Sequence, residues 1–144
     1  MDLKRIACTP PTLVSSQMTV LDAVRLMASA PADAVLIVDD ENRIQGIFTE
    51  RDNLMRVTLK ELNSRVTPLA KVMTAPVVTA TLSASVDEAL ETMFRNHFRH
   101  LPIVDEDNRA IGTISARDLL MRRIGEKEAA LQTLEAYVMS GGPG

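Results

Sequence analysis

Gly46-Ile47-Phe48-Thr49-Glu50-Arg51-Asp52 and Gly112-Thr113-Ile114-Ser115-Ala116-Arg117-Asp118 are one seven-residue phrase written twice, 66 positions apart. Each opens on a glycine, reaches a hydroxyl residue three positions on through an apolar Phe48 or Ile114, and places a carboxylate three positions later. A hydroxyl followed at that spacing by an acid marks a helix start. The phrase thus predicts a strand passing into a helix, and its recurrence points to an internal duplication.

Working outward, residues 3–56 lie over residues 69–122 without a gap, and 16 of the 54 pairs are identical, among them Pro10/Pro76, Val20/Val86, Met27/Met93, Asp39/Asp105 and Asn42/Asn108. Unrelated sequences of ordinary composition share roughly 3 or 4 positions over such a length. One copy is too small to bury a good core alone, so the two are expected to pack on each other about a pseudo-twofold axis.

Each copy predicts the order β-α-β-β-α, an α/β (α+β) architecture. A short helical turn comes first, with Thr67 as cap and Pro68 at the first helical position in the second copy. Extended pieces follow at 10–14 and 76–80. Val20, Ala23, Val24 and Met27, like Val86, Ala89, Leu90 and Met93, recur at i, i+3, i+4, i+7 and predict amphipathic helices with core methionines. Ser85-x-x-Glu88 is a capping box, and Thr19-x-x-Asp22 a weaker one. The apolar runs 35–38 and 101–104 read as buried strands, turning at the acidic clusters 39–43 and 105–109. A helix then starts at Thr49 or Ser115. The polar stretch 58–65 reads as a helix end plus linker. After Ile124 the repeat stops, and Ala130, Leu131, Leu134, Tyr137 and Val138 predict an added helix over 126–140, ended by Gly141-Gly142, whose apolar stripe would dock on its own domain or on another copy. The organisation is therefore repeat 1 over 3–58, repeat 2 over 66–124 and a C-terminal helix over 126–140.

Composition narrows the function. The chain has 144 residues, 46% hydrophobic and 24% charged, with net charge −3, which suits one compact domain or two very small ones. Aromatic residues make up only 3%, which together with the acidity argues against a nucleic-acid grip by stacking or phosphate contacts. The single Cys8 cannot close an intramolecular disulfide, and with two histidines, His97 and His100, no cage of soft metal ligands is expected. Cys8 reads as a small core-edge residue and His97 as a surface or packing histidine. No signal-peptide core or membrane span is read in the chain, so a cytoplasmic protein is expected. No nucleophile–base–orienter set and no phosphate-binding glycine loop appears, so no enzyme is expected.

The duplicated phrase carries the chemistry, and two readings stay open on its spacing. Free amides at a helix start suit an anionic group, and an acid one turn in can accept hydrogen bonds from both hydroxyls of a ribose. Equally, Thr49-x-x-Asp52 and Ser115-x-x-Asp118 serve as helix caps.

The phrase closing each β-α-β-β-α unit, twice in tandem, resembles a pair of cystathionine β-synthase (CBS) domains, often called a Bateman module. Lys71-Val72-Met73-Thr74-Ala75-Pro76 and Arg99-His100-Leu101-Pro102-Ile103-Val104-Asp105 add to the likeness, which covers nearly all of residues 3–124. The resemblance implies an adenosine-containing ligand (AMP, ADP, ATP, S-adenosylmethionine or a dinucleotide), with or without Mg, in the cleft between the halves, with no cofactor required. It implies that the acid of one half serves a base held by strands of the other. Asp52, Thr49 and Arg51 would then face Val78, Thr79, Arg99, His100 and Leu101. Asp118, Ser115 and Arg117 would face Thr12, Leu13, Ala34 and Val35. Arg99 and His100 suit phosphate, whereas Asp33, at the position matching Arg99, would repel it, with Arg117 offsetting part. On that ground the Asp52 site is expected to fill first. The function implied is a regulatory adenine-nucleotide sensor acting on a separate, unidentified protein, as a homodimer through helices 20–30 and 86–97, with no nucleic acid and no membrane. The alternatives are a ligand-free dimerisation scaffold or a binder of another adenosyl ligand such as S-adenosylmethionine.

Overall fold

The computed structural model describes residue 3, residues 10–30 and residues 32–139. The first copy runs β1 (Leu13–Val14), α1 (Val20–Ser29), β2 (Ala34–Val38), β3 (Ile44–Thr49) and α2 (Glu50–Asp52), which continues as a π-helical turn over Asn53–Thr58. The second runs through a 3-10 turn (Leu69–Lys71), α3 (Val86–Asn96), β4 (His100–Val104), β5 (Ala110–Ser115) and α4 (Ala116–Met139). Cys8 and the Gly141-Gly142 stop lie outside the described residues.

The two hairpins are built alike. β2 pairs antiparallel with β3, Ala34 opposite Thr49, and β4 pairs antiparallel with β5, His100 opposite Ser115. Their acidic turns are backbone-binding devices: Asp39 Oδ1 accepts from the amides of Glu41 and Arg43, both at 2.9 Å, and Asp105 Oδ1 does the same for Asp107 and Arg109. Asn42 and Asn108 each take the left-handed conformation, φ 63, which asparagine tolerates better than most residues. The amide of Arg43, followed by that of Glu41 and the guanidiniums of Arg43 and Arg109, holds the Asp39 carboxyl below the usual carboxylate range. The hairpins meet at these turns, where the Ile44 amide donates to Asn108 O and the Ala110 amide to Asn42 O, each at 3.1 Å.

The expected first strand differs between the copies. β1 pairs parallel with β2, and the Leu36 amide donates to Thr12 O at 2.9 Å. In the second copy only Ala80 bridges Ile103. The residue matching Leu36 is Pro102, which has no amide to donate, so the ladder there cannot extend as it does in the first copy.

Helix starts follow the hydroxyl residues. Thr19 Oγ1 accepts from the Asp22 amide at 3.3 Å, and Ser85 with Glu88 forms the reciprocal box that opens α3. The 3-10 turn departs from expectation: Pro68 occupies the cap position, and the Thr67 hydroxyl donates backward to Asn63 O at 2.7 Å. α3 ends at Asn96, with His97 exposed in the left-handed cap conformation, φ 58.

Each half has its own core. One gathers Val20, Ala23, Met27, Ile37, Phe48 and Val57, the other Val86, Ala89, Met93, Leu101, Ile103 and Ile114. The copies exchange their leading residues. Leu3 is fully buried in the second core, its amide on Ala84 O at 2.9 Å, while Leu69 is fully buried in the first, its amide on Met18 O at 2.9 Å. This exchange ties the two halves together.

The stretch expected as a separate C-terminal helix is the far end of α4, which runs unbroken from Ala116 to Met139. Gly125 costs about 1 kcal/mol relative to alanine, too little to stop a helix flanked by Arg122, Arg123, Glu126 and Lys127. Leu131, Leu134 and Val138 on this extension are more than half exposed. Among the described residues no helix is long and apolar enough to cross a membrane.

Candidate ligand cleft

The two acids of the duplicated phrase have different surroundings. Asp52 is buried and its carboxylate is occupied. Oδ2 accepts from the Thr49 amide at 3.0 Å and from the Thr49 hydroxyl at 3.2 Å, while the Thr49 hydroxyl oxygen accepts from the Asp52 amide at 3.1 Å. Oδ1 accepts from the Thr74 hydroxyl at 2.9 Å and lies 3.6 Å from Arg56 Nε. The segment carrying Thr74 lies along β3: the Ile47 amide donates to Thr74 O at 3.0 Å and the Thr74 amide to Ile47 O at 2.8 Å. Gly46 permits this approach, because a Cβ there would collide with Met73 Sδ and lie 3.2 Å from Thr74 O.

Asp118 is exposed. Its amide donates to Ser115 Oγ at 3.0 Å, which caps α4, but among the described residues its carboxylate has no hydrogen-bond or ion-pair partner. Asp118 and Ser115 line a cavity of about 300 Å³ together with Thr12, Ala34 and Asp33 of the first half and His100 of the second. Apart from Thr113 the rest of its wall is apolar, including Pro11, Ala32, Leu36, Ile47 and Pro102. His100 Nδ1 stands 3.2 Å from Asp33 Oδ1 across the two halves.

Of the residues the resemblance assigned, Thr12, Ala34, Ser115 and Asp118 thus come together in one cavity. His100, assigned to Asp52, lines this cavity instead. Val35 and Leu101 are buried in the cores, so only their backbone can face a ligand, and Leu13 lies on β1 beside the cavity wall. Val78 packs against the second core and Thr79 leads toward Ala80. Arg99 is largely in solvent, its Nη2 4.0 Å from Glu50 Oε2. Arg51 and Arg117 are exposed. Thr74 was not singled out from sequence as an Asp52 partner, nor Thr113 as a wall residue. The available signal was the pairing of Thr74 with Cys8, which differ in hydrogen-bonding power.

Fold and cleft define a duplicated α/β module with a cavity shared by its halves. The family model of the CBS domain matches residues 3–52 and 69–125, and the chain belongs to that family as a tandem pair. A solved putative signal-transduction protein with CBS domains from Burkholderia ambifaria MC40-6 superposes with TM-score 0.75 at 37% identity, over 85% of this chain and 90% of that one. The CBS domain pair of protein MJ0100, in complex with 5′-methylthioadenosine and S-adenosyl-L-methionine, superposes with TM-score 0.73 at 25% identity, over 88% and 98% of the two chains. Inosine-5′-monophosphate dehydrogenase of Methanocaldococcus jannaschii is 38% identical over 110 residues, which make up 76% of this chain but only 21% of that relative.

Proposed function

We propose that this chain is a regulatory module that binds an adenosine-containing ligand in the Asp118 cleft and acts on a separate protein, without catalysis of its own. The observation that carries the reading is the Asp118 carboxylate, without a partner among the described residues and set beside Ser115 in a cavity whose opposite wall belongs to the other half. An exposed acid at a helix start can accept from both ribose hydroxyls, and small apolar residues suit a purine face. The ligands of the MJ0100 pair support the adenosine class.

Asp52 is the weaker candidate, since a ribose would have to displace the Thr74 and Thr49 donors already on its carboxylate. Its expected partners Arg99 and Thr79 would belong to a second, later-filled site. Ligand in the Asp118 cleft touches both halves, so it favours the relative angle that fits it best and changes the surface shown to a partner. We assign a cytoplasmic homodimer with α1 and α3 as contact faces, and no required metal, a nucleotide being free to bring Mg with it.

Titration calorimetry with AMP, ATP and S-adenosylmethionine tests the reading. Binding to at least one of them should vanish in Asp118→Ala while the fold persists. No binding to any adenosine ligand would leave only a scaffold, and sedimentation at monomer mass with and without ligand would remove the dimer.

A further inference from the structure

We propose that the outer end of α4 pairs in parallel with the same segment of a second copy, as a short two-stranded coiled coil; this does not depend on the ligand reading above. Leu119, near the start of α4, is fully buried, and beyond it the helix carries no buried residue among those described. Leu120, Ile124, Leu131, Leu134 and Val138 are instead 38%, 49%, 54%, 57% and 67% exposed. At about 100° per residue these five fall within a strip about 80° wide, and Lys127 fills the one gap along it. Counted with Lys127, the steps are 4, 3, 4, 3 and 4, the alternation of a heptad seam.

The parent domain cannot cover this seam. α4 is unbroken from Ala116 to Met139, so residues 126–139 carry the stripe about 20 Å onward in a straight line. The domain packs on Leu119, about 100° around the helix from Leu120, so pairing along the seam leaves both domains at its flanks. A single helix of that length in water, with Gly125 at its base, is marginal by itself. The extension therefore calls for a partner.

Charge decides which partner. Arg122 stands 3.6 Å from Glu126, and Arg123 pairs with Asp87, so both arginines are answered within the chain. Lys127 and Glu128 have no ion-pair partner among the described residues. The positions three and four away from Lys127 are Arg123, Ile124, Ala130 and Leu131, with no acid, and those around Glu128 are Ile124, Gly125, Leu131 and Gln132, with no base. Adjacent residues do not face each other on a helix, so the two cannot pair within one chain. In a parallel pair the Lys127 knob enters a hole edged by Glu128 of the other copy, and its long stem lets the ammonium reach that carboxylate. The same contact recurs on both sides by symmetry. An antiparallel pair that matches the apolar layers would set Glu128 against its own copy. The lysine and the acid thus fit a second copy in one orientation.

The test is sedimentation equilibrium of the whole chain, alone and with Leu131→Glu combined with Leu134→Glu, with thermal melts to verify folding. Disulfide trapping accompanies it, in a Cys8→Ser chain carrying Leu134→Cys. The paired glutamate substitutions should raise the dimer dissociation constant at least tenfold. Oxidation of the Leu134→Cys chain should give a covalent dimer, because a parallel seam sets position 134 against itself and an antiparallel one sets it against position 124. A dimer as tight with both glutamate substitutions as without them would overturn the seam and leave the α1 and α3 contact standing. Monomer mass in the natural chain would overturn the seam and that contact together. A natural dimer that yields no covalent product would overturn the parallel arrangement. The trapping result decides the matter even if the double variant fails to fold.

Discussion

The Thr74 hydroxyl donates to Asp52 Oδ1 at 2.9 Å, binding the segment that opens the second copy to the phrase that closes the strands of the first. With the Thr49 amide and hydroxyl on Oδ2, it makes the Asp52 carboxylate a link between the two copies. The position matching Thr74 in the first copy is Cys8, whose thiol is a far weaker donor. Arg56, which lies beside Asp52 and donates to Met73 O at 2.9 Å, also has a counterpart engaged elsewhere, Arg122 with Glu126.

Replacing Thr74→Val should therefore cost about 1–2 kcal/mol, because a carboxylate in a largely buried setting loses one donor and keeps the rest. Urea unfolding monitored by circular dichroism measures it. A variant as stable as the natural protein would show that the inter-half bond contributes nothing.

The two acids should respond in opposite ways to truncation. Asp52→Ala is expected to lower stability by about 2 kcal/mol, since it orphans the Thr49 and Thr74 donors and removes half of a capping box. Asp118→Ala, at an exposed position whose carboxylate has no partner among the described residues, should stay within about 0.5 kcal/mol in stability yet lose ligand. Paired denaturation and calorimetry on both variants check this, and equal stability losses would refute the division of roles.

Gly46→Ala should destabilise by about 1–3 kcal/mol, the usual cost of forcing atoms into filled space. The new methyl meets Met73 on one side and Thr74 O on the other, and the backbone carbonyl cannot swing away without breaking its bond to the Ile47 amide. A melting temperature unchanged from the natural chain would mean that the segment around Met73 packs less closely on β3.

Acid should weaken the first hairpin. The Asp39 carboxyl titrates below its ordinary value because the charged form accepts from the Arg43 and Glu41 amides. A depressed acid contributes its stabilisation in full above the ordinary carboxylate value, and that contribution disappears as pH falls through the lowered one. The difference in urea midpoint between the natural chain and Asp39→Asn should accordingly be present at neutral pH and shrink to nothing in strong acid. A difference independent of pH would assign the effect to shape instead of charge.

Local signals were the legible ones. The capping boxes at Ser85 and Thr49, the acidic hairpin turns and the core methionines all depend on residues within a few positions of one another, and each formed where its spacing put it. The weak first strand of the second copy was also readable in principle, since Pro102 lacks an amide wherever it is placed. The unbroken α4 was less so, because the repeat's end suggested a boundary that a single glycine is too weak to impose.

What the amino-acid order determined by itself was a twofold α/β unit carrying two copies of one hydroxyl–acid phrase. Which donors each acid meets among the described residues was decided only in three dimensions. Thr74 lies 22 residues from Asp52, and Asp33 comes from the opposite half to Asp118. A local rule sees the same capping spacing at both sites; the difference arises from which donors the tertiary packing brings to each carboxylate.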